Sequence, residues 1–64
     1  MKIILPDSTT ETMEDEPVSI SRILDRLEIN PSEVIVSRNG KLVPEDAVAS
    51  GDDEIRIIRI AHGG

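Results

Sequence analysis

A chain of 64 residues has room for one domain with a thin hydrophobic core, and we do not expect it to be an enzyme, because a catalytic cleft usually needs more chain. It has no cysteine and one histidine, so neither a disulfide nor a Cys/His metal site can supplement that core. A net charge of −6 and the absence of Phe, Trp and Tyr argue against nucleic-acid binding, which relies on basic side chains and on aromatic stacking.

The first predicted element is a β-hairpin. Met1 to Leu5 is a short run rich in β-forming residues, Pro6 to Ser8 supplies turn chemistry, and Thr9 to Met13 alternates as a second strand would. The same opening run is far too short for the apolar segment of a signal peptide, and no later stretch is long enough to span a bilayer. We therefore expect a cytoplasmic protein with no membrane partner.

An amphipathic helix is predicted over residues 20–28, after an acidic, proline-broken loop. That loop, Glu14 to Pro17, lacks the glycine and the spaced oxygen ligands of a cation site, so a solvated loop is favoured over a metal. Ser19 is placed to cap the helix, and Asn30-Pro31 is expected to end it. Apolar residues recur at helical spacing at Ile20, Ile23, Leu24 and Leu27.

A second hairpin follows the helix. Val34–Arg38 and Lys41–Val43 flank Asn39-Gly40, the dipeptide best suited to a tight turn that needs two positive φ angles. Residues 44–53 are then expected to form a connecting loop that ends in a turn over residues 50–53. Within that loop we expect two residues to fill the core, namely Ala47 and Val48.

The last predicted strand, residues 54–60, is the longest and most apolar, which is typical of a central strand. If Ile55 and Ile57 face the helix, alternate side chains face the other way, where a one-helix protein has nothing to cover them. We therefore expect an exposed apolar patch that binds a partner. The alternative is a scatter of single apolar residues without a function. The side chains assigned to this patch are Ile4, Ile35, Ile58 and Ile60.

The sequence ends on Gly63-Gly64, after Ala61-His62. Glycine has no Cβ, so such an end can thread a narrow slot and present its α-carboxylate to another protein. Because the chain has no cysteine, any acyl or sulfur transfer must use a terminus or a partner's thiol. The alternative is a frayed terminus without a role. We expect a domain over residues 1–60 and a flexible tail over residues 61–64.

Several of these features occur together in one order: the Asn39-Gly40 hairpin with Lys41 to Pro44, the turn from Gly51 to Glu54, and the run from Ile55 to Gly64. This pattern covers essentially the whole chain and resembles the ubiquitin-like β-grasp sulfur carriers. These are the ThiS family of thiamine biosynthesis and the MoaD family, the small subunit of molybdopterin synthase, and the length is closer to ThiS. The resemblance implies an α+β, ββαββ β-grasp fold, with a mixed sheet of order 2-1-5-3-4 and one helix packed on one face.

The resemblance also implies a carrier that is acted on by other enzymes. The carboxylate of Gly64 would be adenylated by a ubiquitin-activating-type enzyme, whose own site supplies ATP and Mg, so the chain binds no cofactor or metal itself. Sulfur from a persulfide protein would then give a thiocarboxylate. The sulfur would pass to thiazole synthase for thiamine or, alternatively, to the large subunit of molybdopterin synthase or to tRNA thiolation. Gly63, His62 and Ala61 would thread the partner's slot, and Ile58 would lie on the open face that contacts the activating enzyme.

The tail departs from the family pattern at Ala61-His62, where many members have small apolar residues or a third glycine. His62 either assists proton transfer in the partner's site or simply contacts solvent or the partner. Two other functional classes stay open: a ubiquitin-like protein modifier, in which Gly64 ends on a target lysine, and a plain β-grasp interaction domain. Fold alone does not choose among them.

Overall fold

The computed structural model describes residues 1–14 and 16–60, while Asp15 and the predicted tail, residues 61–64, lie outside the described residues. The strands are β1 (Lys2–Ile4), β2 (Thr10–Thr12), β3 (Val18–Ser19), β4 (Val34–Arg38), β5 (Lys41–Val43), β6 (Val48–Ala49) and β7 (Glu54–Arg59). A helix, α1 (Ile20–Arg26), and a 3₁₀ turn, Pro31–Glu33, lie between β3 and β4.

Five strands form the main sheet, in the order β2-β1-β7-β4-β5. The β1 and β7 strands run parallel, and the remaining neighbours are antiparallel. Numbered as the five strands predicted from the sequence, this order is 2-1-5-3-4, so the expected α+β topology with the last strand in the centre is confirmed.

The core lies between one face of this sheet and the apolar face of α1. Ile20, Ile23 and Leu24 project from the helix and are at most 1% exposed. Burying large aliphatic side chains of this kind contributes about 1.5–3 kcal/mol each, and no aromatic residue is present to contribute more. The sheet side of the core consists of Met1, Ile3, Val34, Val36, Ile55 and Ile57, joined by Ala49.

The helix begins as the sequence predicts and ends earlier. Ser19 is the N-cap, and its hydroxyl accepts a hydrogen bond from the Arg22 amide at 3.2 Å. The Glu28 amide donates a hydrogen bond to the Asp25 carbonyl at 3.1 Å, and the Ile29 amide donates one to the Leu24 carbonyl at 2.9 Å. Glu28 has a φ of 58°, so this is the left-handed closure usually made with glycine, and it ends α1 before Asn30-Pro31 is reached. Within the described residues, no helix has the length and apolar content to cross a membrane.

Both predicted turns after the helix are confirmed. Asn39 and Gly40 have φ angles of 52° and 88°, as the two-residue turn between β4 and β5 requires. The second turn closes with a 3.2 Å hydrogen bond from the Asp53 amide to the Ser50 carbonyl, and Gly51 adopts a φ of 61° there.

The sequence analysis missed a second, two-stranded sheet, in which β3 pairs antiparallel with β6. This pairing corrects the expected loop over residues 44–53. Val48 is 53% exposed and Ala49 is fully buried, so the prediction of Val48 as a core residue was wrong, whereas Ala47 packs against the core as expected. Each strand has two residues, too few for alternation to reveal which side faces inward.

The conformation of Glu28 yields a test of the helix end. Glu28→Gly should raise the free energy of unfolding by about 1 kcal/mol, because a side chain is strained at positive φ and glycine is not. The matched control is Asp25→Gly, at an exposed position inside α1, which should lower it by about 0.5–1 kcal/mol. Urea denaturation measures both. Equal destabilisation by the two substitutions would contradict the left-handed helix end.

Candidate functional site

The β7 strand holds the base of the predicted tail. It pairs with β1 on one side and with β4 on the other. The ladder with β4 continues one residue past the strand, because the Ile60 amide donates to the Glu33 carbonyl at 2.9 Å. The chain is therefore fixed by hydrogen bonds up to Ile60, immediately before residues 61–64.

The side chains of β7 alternate as the sequence predicts. Ile55 and Ile57 are at most 1% exposed and belong to the core, whereas Ile58 is 38% exposed. Ile58 pairs directly with Ile35 of β4, which is 40% exposed, and Ile60 beyond the strand is 39% exposed. These three isoleucines lie on the side of the sheet that α1 does not cover, and we call that whole side the outer face.

Ile4 differs from the other three isoleucines predicted for this face. Its position in β1 directs it to the outer face, yet it is only 9% exposed. Its registered neighbours are Thr10 of β2 and Arg56 of β7 rather than Ile58. Side chains directly opposite one another in a sheet lie within contact distance, so Thr10 and Arg56 are placed to cover Ile4. The assignment of Ile4 to the exposed patch is therefore wrong, and Ile4 does not lie in one row with Ile35 and Ile58.

Two outer-face residues were missed by the sequence analysis. Leu42 of β5 is 66% exposed and pairs with Ser37, which in turn pairs with Arg56. Arg56 therefore lies in the middle of the sheet, with Ile4 on one side and Ser37 on the other. The signal was available, because the Asn39-Gly40 turn sets the β4–β5 register and so places Leu42 on the same face as Ile35.

The charge on the outer face differs from that of the whole chain, which is −6. Among the strand residues whose register places them on this face, the charged ones are Lys2, Arg56 and Glu54. With two cations and one carboxylate, these strand residues make the outer face weakly basic as well as apolar. Such a surface is complementary to an apolar partner surface that carries acidic groups.

On the helix side, the base of the tail adjoins an open cleft of about 500 Å³, with Asp7 and Arg59 among its lining residues. Arg59 forms an ion pair with Glu33 at 3.6 Å, and both side chains are too exposed for the pair to stabilise the fold much. Hydrogen bonds from the Thr9 hydroxyl and amide lower the pKa of Asp7. Among residues 1–14 and 16–60, no cluster of His, Cys, Asp and Glu is arranged to hold a metal ion.

The tail residues assigned from the sequence, Ala61, His62, Gly63 and Gly64, lie outside the described residues, so their roles stay predictions. The structure does bring three of the four predicted face residues, Ile35, Ile58 and Ile60, to one exposed side of the strand that leads to the tail.

The fold is similar to that of a thiamine biosynthesis protein, ThiS, from Geobacter metallireducens. Its crystal structure matches with a TM-score of 0.70 and 18% identity over 100% of both chains. A solution structure of a thiamine biosynthesis protein from the same organism matches with a TM-score of 0.63 and 19% identity, over 100% of this chain and 88% of that one. At these identities the likeness establishes the β-grasp fold that the sequence predicts.

Comparison of sequences, unlike comparison of folds, identifies the family to which the chain belongs. An uncharacterised protein of Archaeoglobus fulgidus is 43% identical over 44 residues, which span 69% of this chain and 64% of that protein, so the chain covers less than two thirds of its relative. The model of the family described as small archaeal modifier protein 2 matches residues 3–61. With nearly the whole chain matched and a ThiS-like fold, this ubiquitin-like protein belongs to the small archaeal modifier protein 2 family.

Proposed function

We propose that this protein is a carrier whose reactive group is the α-carboxylate of Gly64, as the mature carboxyl terminus, and that partner enzymes activate it. The observation that carries the proposal is the position of β7. This central strand pairs with β1 as far as Arg56 and with β4 as far as Arg59, and the Ile60 amide is still held by the Glu33 carbonyl. Four residues that end in two glycines follow. A strand held by hydrogen bonds, followed by glycines that have no side chain, suits delivery of a terminus into a partner's active site.

Activation is needed because a free carboxylate is a poor electrophile. In the proposed step, a carboxylate oxygen of Gly64 attacks the α-phosphorus of ATP, a C–O–P linkage forms, and pyrophosphate leaves. The activating enzyme supplies ATP, Mg and the groups that stabilise the transition state, so this chain serves as its co-substrate.

The first proposed fate of the adenylate is sulfur transfer. A partner's persulfide attacks the carbonyl carbon of Gly64 and AMP leaves; a second thiol then cleaves the resulting acyl disulfide, which yields a thiocarboxylate and a partner disulfide. The thiocarboxylate would donate sulfur to thiazole synthase for thiamine, with molybdopterin synthase or tRNA thiolation as alternatives. The likeness in fold to the Geobacter thiamine protein supports this fate at the level of fold.

The second proposed fate is transfer to an amine. A target lysine attacks the activated carbonyl, AMP or an intermediate thiol leaves, and the amine loses a proton to give an isopeptide bond. Membership of the small archaeal modifier protein 2 family favours this fate. Both fates share the adenylate, so the two hypotheses diverge after Gly64 has been activated.

The outer face is the proposed docking surface for the activating enzyme. Ile58 and Ile35 offer exposed apolar area at the base of the tail, and Arg56 adds a cation in the centre of the sheet. Arginine is one of the residue types enriched at interaction hot spots. We therefore propose that the partner presents an apolar surface with at least one carboxylate toward Arg56.

Intact-mass measurement tests the proposed function. Incubation with ATP, the cell's own adenylating enzyme and a persulfide donor should replace one oxygen of Gly64 with sulfur, whereas addition of cell protein should give lysine adducts if the second fate operates. A matched variant with one alanine appended after Gly64 keeps the fold and should show neither change. Activity retained by that variant, or no change in the unextended chain with any adenylating enzyme, would rule out chemistry at Gly64.

Substitution on the outer face tests the docking surface separately. Ile58→Glu should raise the KM of the activating enzyme for the carrier by about tenfold or more, with little change in Tm, because Ile58 is partly exposed. The control is Thr12→Glu, which adds the same charge to the same face on the edge strand β2. An unchanged KM for Ile58→Glu would show that the outer face does not bind the activating enzyme. Unfolding of Ile58→Glu would show instead that the Ile58 side chain belongs to the core.

A further inference from the structure

Asn39, the first residue of the β4–β5 turn, is held by three hydrogen bonds to the segment that opens β7. Its side-chain Nδ2 donates to Asp53 Oδ1 at 2.9 Å, and its Oδ1 accepts from the Glu54 amide at 2.9 Å. Its own amide donates to the Glu54 carbonyl at 2.8 Å. Both ends of the Asn39 carboxamide are therefore occupied, on the side of the turn that faces β7.

The acceptor of this network is itself fixed. Asp53 Oδ2 accepts a 3.0 Å hydrogen bond from the Ser50 amide, while Asp53 Oδ1 holds Asn39. These hydrogen bonds, first that from Ser50 and then that from Asn39, lower the pKa of Asp53 below its ordinary value. The carboxylate is accordingly ionised at neutral pH and available as an acceptor.

An Asn-Gly step carries a well-defined chemical liability. The amide nitrogen of Gly40 can attack Cγ of Asn39: an N–Cγ bond forms, the Cγ–Nδ2 bond breaks, and ammonia leaves with the proton from the Gly40 nitrogen. Water then opens the succinimide at either carbonyl, to give aspartate or isoaspartate, and no oxidant or reductant is needed. Glycine favours the reaction because it lacks a Cβ that would hinder the approach of its nitrogen.

We propose that Asn39 is a gated deamidation site, and that its hydrogen bonds to Asp53 and Glu54 are the gate. Ring closure requires Cγ to turn toward the Gly40 nitrogen, which breaks both side-chain hydrogen bonds. Opening of the β4–β5 turn away from β7 therefore exposes Asn39 to the reaction, and the closed network protects it. The proposal does not depend on chemistry at Gly64.

Deamidation of Asn39 is irreversible, and it changes the conformation of the β4–β5 turn. In the aspartate product, an oxygen replaces the Nδ2 donor opposite Asp53, and two carboxylates then face each other across a contact that was 2.9 Å long. Isoaspartate additionally lengthens the backbone of a turn whose geometry depends on positive φ at Asn39 and Gly40. Either product loosens the β4–β5 hairpin, which carries Ile35 and Leu42 of the outer face.

Timed incubation at mildly alkaline pH tests the gate. The rate of NH₂-to-OH exchange is read by mass spectrometry, and isoaspartate is confirmed with an isoaspartate-specific methyltransferase. The folded chain should react at least roughly tenfold more slowly than a peptide of residues 36–43, because two hydrogen bonds must open first. Asp53→Ala should react several-fold faster than the unsubstituted chain.

Two controls separate the gate from general unfolding. Asp52→Ala removes the neighbouring exposed carboxylate and should leave the rate unchanged. Ile23→Val loosens the core on α1, outside the turn and its hydrogen bonds, and should not accelerate the reaction as Asp53→Ala does, even where the two variants lose similar Tm. A folded chain that reacts at the peptide's rate, equal rates for Asp53→Ala and Asp52→Ala, or equal acceleration by Ile23→Val would each overturn the proposal.

Discussion

The structure depends on the central position of β7. Because β7 lies between β1 and β4, its inward side chains, Ile55 and Ile57, lie in the middle of the sheet face that α1 covers and join the helix in one core. The same alternation leaves Ile58 on a face that α1 does not cover. The pleat of a single strand thus yields both the stable centre of the domain and an apolar surface beside Ile60, the last residue before the predicted tail.

In the proposed function, the folded domain is the scaffold and the carboxylate of Gly64 is the reactive group. Without cysteine, it has no thiol of its own for acyl or sulfur transfer. The proposed function requires no catalytic side chain in this protein, because partner enzymes supply the catalytic groups and the protein supplies a terminus and a surface. The weakly basic outer face of an acidic chain gives that surface an orientation preference that apolar area alone would lack.

The sequence predicted the main sheet because its strongest local signals were independent of one another. The helical spacing of Ile20, Ile23 and Leu24 and the Asn39-Gly40 turn each specify one local geometry, and the structure confirms both. The family resemblance supplied the strand order, which local patterns do not determine.

The errors arose where tertiary contacts decided the outcome. Glu28 takes the left-handed helix end without being glycine, so composition did not reveal it. The β3–β6 pair is too short for periodicity, so Val48 was expected in the core although it is exposed and its neighbour Ala49 is buried. Ile4 is directed outward as expected but is shielded by its neighbours across the sheet, which depends on register rather than on parity.

The central claim of the proposed function is that the α-carboxylate of Gly64 is the group that partner enzymes activate. The most direct measurement is the mass of the carboxyl-terminal peptide in protein isolated from its native cells, with sulfur-reactive labelling and isopeptide mapping of the same sample. The account predicts a chain that ends at Gly64, with a fraction present as thiocarboxylate or joined to lysine. A native chain that continues beyond Gly64, or one that ends there only as free carboxylate under all growth conditions, would contradict it.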